Sequence, residues 1–201
     1  MDKIADLWSI VFSGVGGQGV LLAAEIAAIA AVSAGYDVKQ TEVHGVSQRG
    51  GSVESQVRFG SKVWSPIVTP GQADIVVGLE ELEGLRAAHY THATQGTIVI
   101  NELRIMPASI DDAENKYPQD TKHFLSEKGY QVISILASKT AKDLGDGRMA
   151  NVVMLGAISR LLPIDDETWI STLKGRIPEK YREPNLKAFE AGKQFVEAAR
   201  I

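Results

Sequence analysis

The stretch LWSIVFSGVGGQGVLLAAEIAAIAAVSA (Leu7–Ala34) decides how the chain is read. Leu7–Ser13 is a short apolar run rich in β-formers and bounded by glycines, the pattern of a buried strand. From Gln18 to Ala34 the composition turns alanine- and leucine-rich with no proline, and Gly35 stops it, so a helix follows. Strand, glycine turn and helix open a βαβ unit. The turn spells G-x-G-x-x-G across Gly14, Gly16 and Gly19. Glycines permit positive φ and close backbone approach, and the helix behind them aims free N–H groups at the loop. An anion or cofactor phosphate is favoured there. The alternative is that the glycines only let a tight turn pack on its sheet.

Tyr36–Val43 reads as a second strand, and a second glycine-rich stretch, EVHGVSQRGGSV (Glu42–Val53), follows it. Within six positions it gathers an imidazole, a hydroxyl, an amide and a guanidinium. Arg49 suits two-pronged recognition of a carboxylate or phosphate, and His44 can exchange protons near neutral pH. A polar loop whose arginine pairs with a neighbouring carboxylate is the plain rival. Both loops follow the carboxyl ends of the first two strands, and if those strands are neighbours in a parallel sheet the loops share its functional edge.

Beyond the loop, GSVESQVRFG alternates Val53, Ser55, Val57 and Phe59 against Ser52, Glu54, Gln56 and Arg58. Period two with a polar face predicts an antiparallel, half-exposed strand. A turn at Gly60–Lys62 would return VWSPIV (Val63–Val68) as its partner, a hairpin inserted where a dinucleotide-binding domain continues with a helix. The α/β rhythm resumes with strands in Ala73–Glu80, Gly96–Glu102 and Tyr130–Ser138. Helices are expected in Glu81–Thr91, near Asp120–Lys128, over Met149–Leu162, in Asp165–Ile177 and in Pro184–Arg200. The expected fold is therefore α/β: a Rossmann-like, mostly parallel sheet with an inserted antiparallel hairpin and a C-terminal helical segment. Residues 1–201 read as one domain, with about 163–201 as a helical extension.

Composition narrows the chemistry. The chain has 201 residues, 44% of them hydrophobic and 23% charged, which is ordinary for a globular protein. A net charge of −4 offers no basic excess for nucleic acid. No apolar run approaches the roughly 18–20 residues that cross a bilayer, and the start lacks a signal-peptide core, so no membrane role and a cytoplasmic address are expected. There is no cysteine at all. Iron–sulfur clusters, disulfides and thiol nucleophiles are excluded, and any redox cluster must sit on a partner.

Other candidates are weaker. Asp37 and Glu42 are the acidic residues near the second strand that a nucleotide ribose would need, and neither is well placed. Glu80, Glu81 and Glu83 follow a strand end without metal-ligand spacing. His89 and His92, three apart, could hold a metal but read more readily as solvated surface. Gly145–Arg148 reads as a loop, and Asn151 either caps the next helix or lines a site. There is no Walker A motif and no nucleophile elbow.

The combination of GVGGQGVLLAAEIAA, EVHGVSQRGGSVESQVRFG, SPIV, GQADIVVGLE and NLKAFEAGKQFV resembles the γ-type chain of 2-oxoacid:ferredoxin oxidoreductases, nearest to the small subunit type of the indolepyruvate enzymes. The resemblance spans essentially the whole chain. It implies coenzyme A-dependent oxidative decarboxylation of a 2-oxo acid to an acyl-CoA, carbon dioxide and reduced ferredoxin, by a complex in which this chain is inactive alone. Aryl substrates such as indolepyruvate are favoured, with 2-oxoglutarate or branched-chain 2-oxo acids as alternatives. It implies thiamine diphosphate and iron–sulfur clusters on partner subunits, and coenzyme A as co-substrate at a shared site. Gly14, Gly16, Gly17, Gln18 and Gly19 match the family's first loop, and His44, Gly45, Gln48, Arg49, Gly50 and Gly51 its second. These are candidate binding residues; none is assigned as catalytic and no metal is expected, because the carbanion chemistry belongs to the thiamine. A stand-alone nucleotide-binding domain and a purely structural subunit are the rival classes.

Overall fold

The computed structural model describes residues 7–44, 51–106 and 117–199. Six strands form one sheet: β1 (Trp8–Val15), β2 (Asp37–His44), β3 (Ser52–Gly60), β4 (Ile75–Gly78), β5 (Thr97–Asn101) and β6 (Gln131–Ile135). Their order is β2-β3-β1-β4-β5-β6. The run β1-β4-β5-β6 is parallel, and β3 is antiparallel to both β1 and β2. The sheet is thus mixed and mostly parallel, as the sequence leads one to expect.

The hairpin differs from expectation. The period-two strand β3 pairs with β2 on one edge and β1 on the other, leaving no edge for Val63–Val68. The His44–Gly51 stretch is itself the connection within the hairpin, and residues 45–50 lie outside the described residues. Val63–Val68 crosses the polar face of β3 without strand structure. Pro66 has no N–H to give a ladder and biases Ser65 against regular pairing geometry. The Arg58 side chain holds this segment, donating to the Ser65 and Ile67 carbonyls at 3.1 Å each, while Val68 N–H donates to Gln56 Oε1 at 2.7 Å. The polar face of β3 is therefore largely covered rather than open.

Helices cover both faces. On one, α1 (Val20–Ser33), α4 (Ala137–Asp143), α5 (Ala150–Ser159), α6 (Asp166–Arg176) and α7 (Glu179–Ala199) share a core with Ile10, Phe12, Val57, Phe59, Val77 and Val99. On the other, α2 (Glu81–Ala87) and α3 (Thr121–Glu127) cover Val11, Val76, Ile98 and Ile100. The alternation of β1 between these cores is what a two-sided sheet demands. α4 was not foreseen, because ASKTAKD is short and largely polar. α7 begins earlier than expected, with Pro184 inside its second turn.

α5 is buried along its whole length from Asn151 to Ser159. It crosses α7 at two glycines: a Cβ on Gly156 would lie 1.9 Å from the Phe189 carbonyl oxygen, and one on Gly192 would lie 2.0 Å from that of Val153. Only glycine allows backbones that close. Trp169 of α6, fully buried, packs against Phe189 of α7 with ring centroids 5.9 Å apart.

Candidate functional site

β1 runs into the first glycine-rich loop, which delivers α1 with Gly19 as its left-handed N-cap residue. Among the described residues no side chain caps this helix and no acidic residue occupies its first turn, so its first-turn amides and positive end face the loop. The loop is braced from within. Gln18 Oε1 accepts from Val15 N–H at 2.6 Å, and Gln18 Nε2 donates to the Leu79 carbonyl at the end of β4, 3.1 Å away. A Cβ on Gly14 would lie 2.8 Å from both Gln18 Oε1 and Val20 Cγ2, so Gly14 serves close packing. Gly17 and Gly19 both have positive φ, +99° and +77°.

The two loops meet. β3 lies between β1 and β2, so these strands are not neighbours as supposed, yet two reversals return β2 to the direction of β1. Both strands therefore end at one edge: Val15 is paired with Ser52, and His44 with Val53. Gly16 N–H donates to the Gly51 carbonyl at 2.9 Å, joining the described base of the second stretch to the first loop. Gly45, Gln48, Arg49 and Gly50 lie outside the described residues. His44 is placed as the last residue of β2.

Three cavities ring the start of α1. One of about 210 Å³ sits over the carboxyl ends of β4 and β5 between Gly17, Gln18, Leu79, Asn101, Ser138 and Arg148. Another of about 560 Å³ lies between Gly16, Gly17, Leu21, Leu22 and Val53. A third of about 470 Å³ runs from Leu22 and Leu144 past Arg148 and Asn151 to Ile177 and Tyr181. The first adjoins, through Gly17, Gln18 and Leu79, the crevice between β1 and β4, where connections leave in opposite directions along the sheet, the usual ligand position in open α/β sheets.

Asn101 and Ser138 line this crevice without being singled out in the sequence, whereas Arg148 is named there only within a loop and Asn151 as a cap or site-lining residue. Asn101, ending a wholly buried strand, donates to the Leu79 carbonyl at 3.0 Å and to Ser138 Oγ at 2.8 Å, and accepts from Ser138 N–H at 3.0 Å. A polar residue closing the run Thr97–Asn101 at the carboxyl edge was the available signal. Arg148 faces two of the cavities with 82% of its side chain exposed. Its guanidinium grips Asp146 through Nε and Nη2, at 2.9 Å and 2.6 Å from Oδ2. Those bonds hold the Asp146 carboxyl below the ordinary range and push Arg148 higher still. Asn151, in the first turn of α5, donates to the Gly19 carbonyl at 3.3 Å, binding α5 to the loop. Its buried Oδ1 has no partner among the described residues.

The remaining candidates have structural surroundings. Glu80, 1% exposed, caps α2 by accepting from Glu83 N–H at 2.9 Å, and also accepts from Ile105 N–H and the Tyr117 hydroxyl. Burial, and then the bond to Glu80, push the Tyr117 phenol well above its ordinary value. Asp37 begins β2, at the end of that strand away from the loops, and accepts from Val63 N–H at 2.9 Å. That bond, then the one from Lys39, lowers its carboxyl. Glu42 sits on β2 opposite Ser55, one strand further from β1 than a ribose-binding acid in a dinucleotide fold. His89 bonds the Arg86 carbonyl and lies against the Tyr90 ring in a tilted arrangement, and His92 accepts from Thr94 N–H. Among the described residues no helix is long and apolar enough to cross a membrane.

With this geometry in place, the chain can be set beside known proteins. Residues 9–195 match the family model described as pyruvate ferredoxin/flavodoxin oxidoreductase, and the chain belongs to that family. It is 36% identical over 190 residues to the indolepyruvate oxidoreductase subunit IorB of Thermococcus kodakarensis, covering 92% of this chain and 94% of that one. Among solved structures it is similar to a keto/oxoacid ferredoxin oxidoreductase γ subunit from Geobacter sulfurreducens, with TM-score 0.71 and 28% identity over 95% of this chain and 99% of that one. The same fold recurs in part of a 2-oxoglutarate:ferredoxin oxidoreductase from Magnetococcus marinus, solved with 2-oxoglutarate, coenzyme A and succinyl-CoA. There the TM-score is 0.74 and identity 23% over 96% of this chain but 31% of that one.

Proposed function

We propose that this chain is the cluster-free subunit of a cytoplasmic 2-oxoacid:ferredoxin oxidoreductase acting on an aryl 2-oxo acid such as indolepyruvate. The reaction joins the acyl carbon of the 2-oxo acid to the coenzyme A sulfur, releases carbon dioxide and passes an electron pair to ferredoxin. A sequence without cysteine can hold no iron–sulfur cluster, so the clusters are assigned to partner subunits, and the resemblance to the family implies the same for the thiamine diphosphate. Thiamine diphosphate bound there supplies the carbanion chemistry. This chain acts as one unit over residues 1–201, with 163–201 as its helical extension, and shapes the approach of coenzyme A.

The observation that carries this reading is the Gly16–Gly51 hydrogen bond, which brings the two glycine-rich stretches together beside the uncapped start of α1. With the Gly16 N–H committed to Gly51, the amides of Gly17 and the first turn of α1 are available to a phosphate group. Arg49, within the connecting stretch, adds a guanidinium for the same anion or for a partner's carboxylate, with His44 and Gln48 facing the subunit interface. Gln18, Gly14 and Gly19 hold the loop in shape, and Gly51 joins it through the Gly16 N–H.

The test is Arg49→Ala in the assembled enzyme. Loss of a charge-assisted bond to phosphate should raise the apparent coenzyme A KM about tenfold, with the 2-oxo acid KM barely moved. A complex that falls apart while its coenzyme A response is unchanged reassigns Arg49 to the subunit interface. Tight NADH binding by the isolated chain would instead favour a nucleotide-binding domain.

A further inference from the structure

Glu83 is a buried carboxylate for which the proposed chemistry has no use. It lies in α2 with 3% of its surface exposed, and α2 covers the face of the sheet opposite α1. Burying a carboxylate is costly unless its oxygens are well satisfied, and here both are. Oε1 accepts from Arg86 Nη1 at 2.6 Å, and Oε2 accepts from the Ser52 hydroxyl. The backbone carbonyl of the same residue accepts from Ser13 Oγ at 3.0 Å. One residue therefore grips β1 two positions before its end and β3 at its first position. Those are the strand ends from which the two glycine-rich stretches emerge.

The sheet does not need this clamp, because the β1–β3 ladder already pairs Ser13 with Glu54 and Val15 with Ser52. What the clamp adds is placement of the last ladder pair. Ser52 adjoins Gly51, whose carbonyl receives the Gly16 N–H. Strand ends fray when their last pair is held only by backbone bonds, and a charge-assisted bond to a buried carboxylate suppresses that fraying. We infer that Glu83 is a positioning residue: acting through Ser52, it fixes the Gly16–Gly51 junction and with it the relative placement of the two stretches. The inference rests on the reading of those stretches as the coenzyme A approach, but its first test does not.

Ser52→Ala removes the hydroxyl and leaves the bond from the half-exposed Arg86 to Glu83 intact, while Ser52→Thr keeps a hydroxyl at the same position. Amide hydrogen exchange at Gly16 in the full chain should speed up about tenfold in Ser52→Ala and return to the native rate in Ser52→Thr, with exchange in β5 unchanged. In the assembled enzyme, Ser52→Ala should raise the coenzyme A KM several-fold, with kcat and the 2-oxo acid KM held within about twofold. Unchanged Gly16 exchange overturns the inference whatever coenzyme A does. So does a coenzyme A KM that rises for Arg49→Ala but stays fixed for Ser52→Ala. A coenzyme A response indifferent to Arg49→Ala brings down the coenzyme A reading instead, and Glu83 is then judged by the Gly16 exchange alone.

Discussion

The α5–α7 crossing and the loop between β1 and α1 both depend on glycine, for opposite reasons. At the crossing, Gly156 and Gly192 stand where each missing Cβ would collide with the carbonyl of the facing helix. Nothing else is asked of them; they set how closely α7 seats on α5. In the loop the need for glycine is graded. Gly14 leaves room for packing, Gly19 combines positive φ with contact against Asn151, and Gly17 has positive φ while a Cβ there would meet nothing within 4 Å. Glycine at a crossing is about the fold. Glycine beside open space, next to helix amides, is about what approaches from outside.

This contrast breaks first at Gly156→Ala. The added methyl meets backbone rather than a yielding side-chain tip, so α7 must lift from α5 and loosen the Trp169–Phe189 contact. A loss of about 3 kcal/mol or more is expected, a fall in Tm on the order of 10 °C for a chain of this size. Thermal unfolding followed by circular dichroism measures it, and a Tm within a degree of the native value would mean that α7 does not seat on α5 in this way. Gly19→Ala comes next. Its left-handed φ and the Asn151 Nδ2 only 2.5 Å from the new Cβ should together cost about 2 kcal/mol. Because the Asn151 amide is a side-chain end and can shift, the loss is smaller than at the crossing. Double substitution with Asn151→Ala should recover the part due to contact and leave the part due to φ.

The same contrast shows what could be read from sequence. β1, α1, β4 and β5 were legible because an uninterrupted apolar run or an alanine-rich segment leaves little choice of local structure. β3 was legible as a strand from its period of two, but alternation tells which face is buried and not which strand is the neighbour. Alternation alone therefore allows Val63–Val68 as the partner as readily as β1 and β2, and the structure pairs β3 with the latter two. The glycine loop was visible as a motif, yet the roles within it were not, since the atoms that separate Gly19 from Gly17 belong to Asn151, far along the chain. Gly156 and Gly192 drew no notice for the same reason. In the sequence Glu83 is only one acid among three after a strand. Its burial and its reach to Ser13 and Ser52 exist only once α2 is laid on the sheet.

Gly17→Ala sharpens the comparison with the smallest effect on stability. Gly17 lines both the 210 Å³ and 560 Å³ cavities and an added methyl would meet nothing within 4 Å, so no packing is lost and only the positive φ is opposed, about 1 kcal/mol. Relief of that strain turns the loop backbone, and the amides of Gly17 and the first turn of α1 turn with it. If those amides receive a phosphate, the coenzyme A KM of the assembled enzyme should rise by about tenfold, while Tm falls by only about 2–4 °C. Gly19→Ala is the internal standard, because it strains the same loop with a larger stability loss and a methyl that points at Asn151. Should Gly17→Ala lose as much stability as Gly19→Ala, the residue is part of the packing after all. Should its coenzyme A response match the native enzyme while Gly19→Ala disturbs it, the loop acts through its attachment to α5 rather than through amides turned toward a ligand.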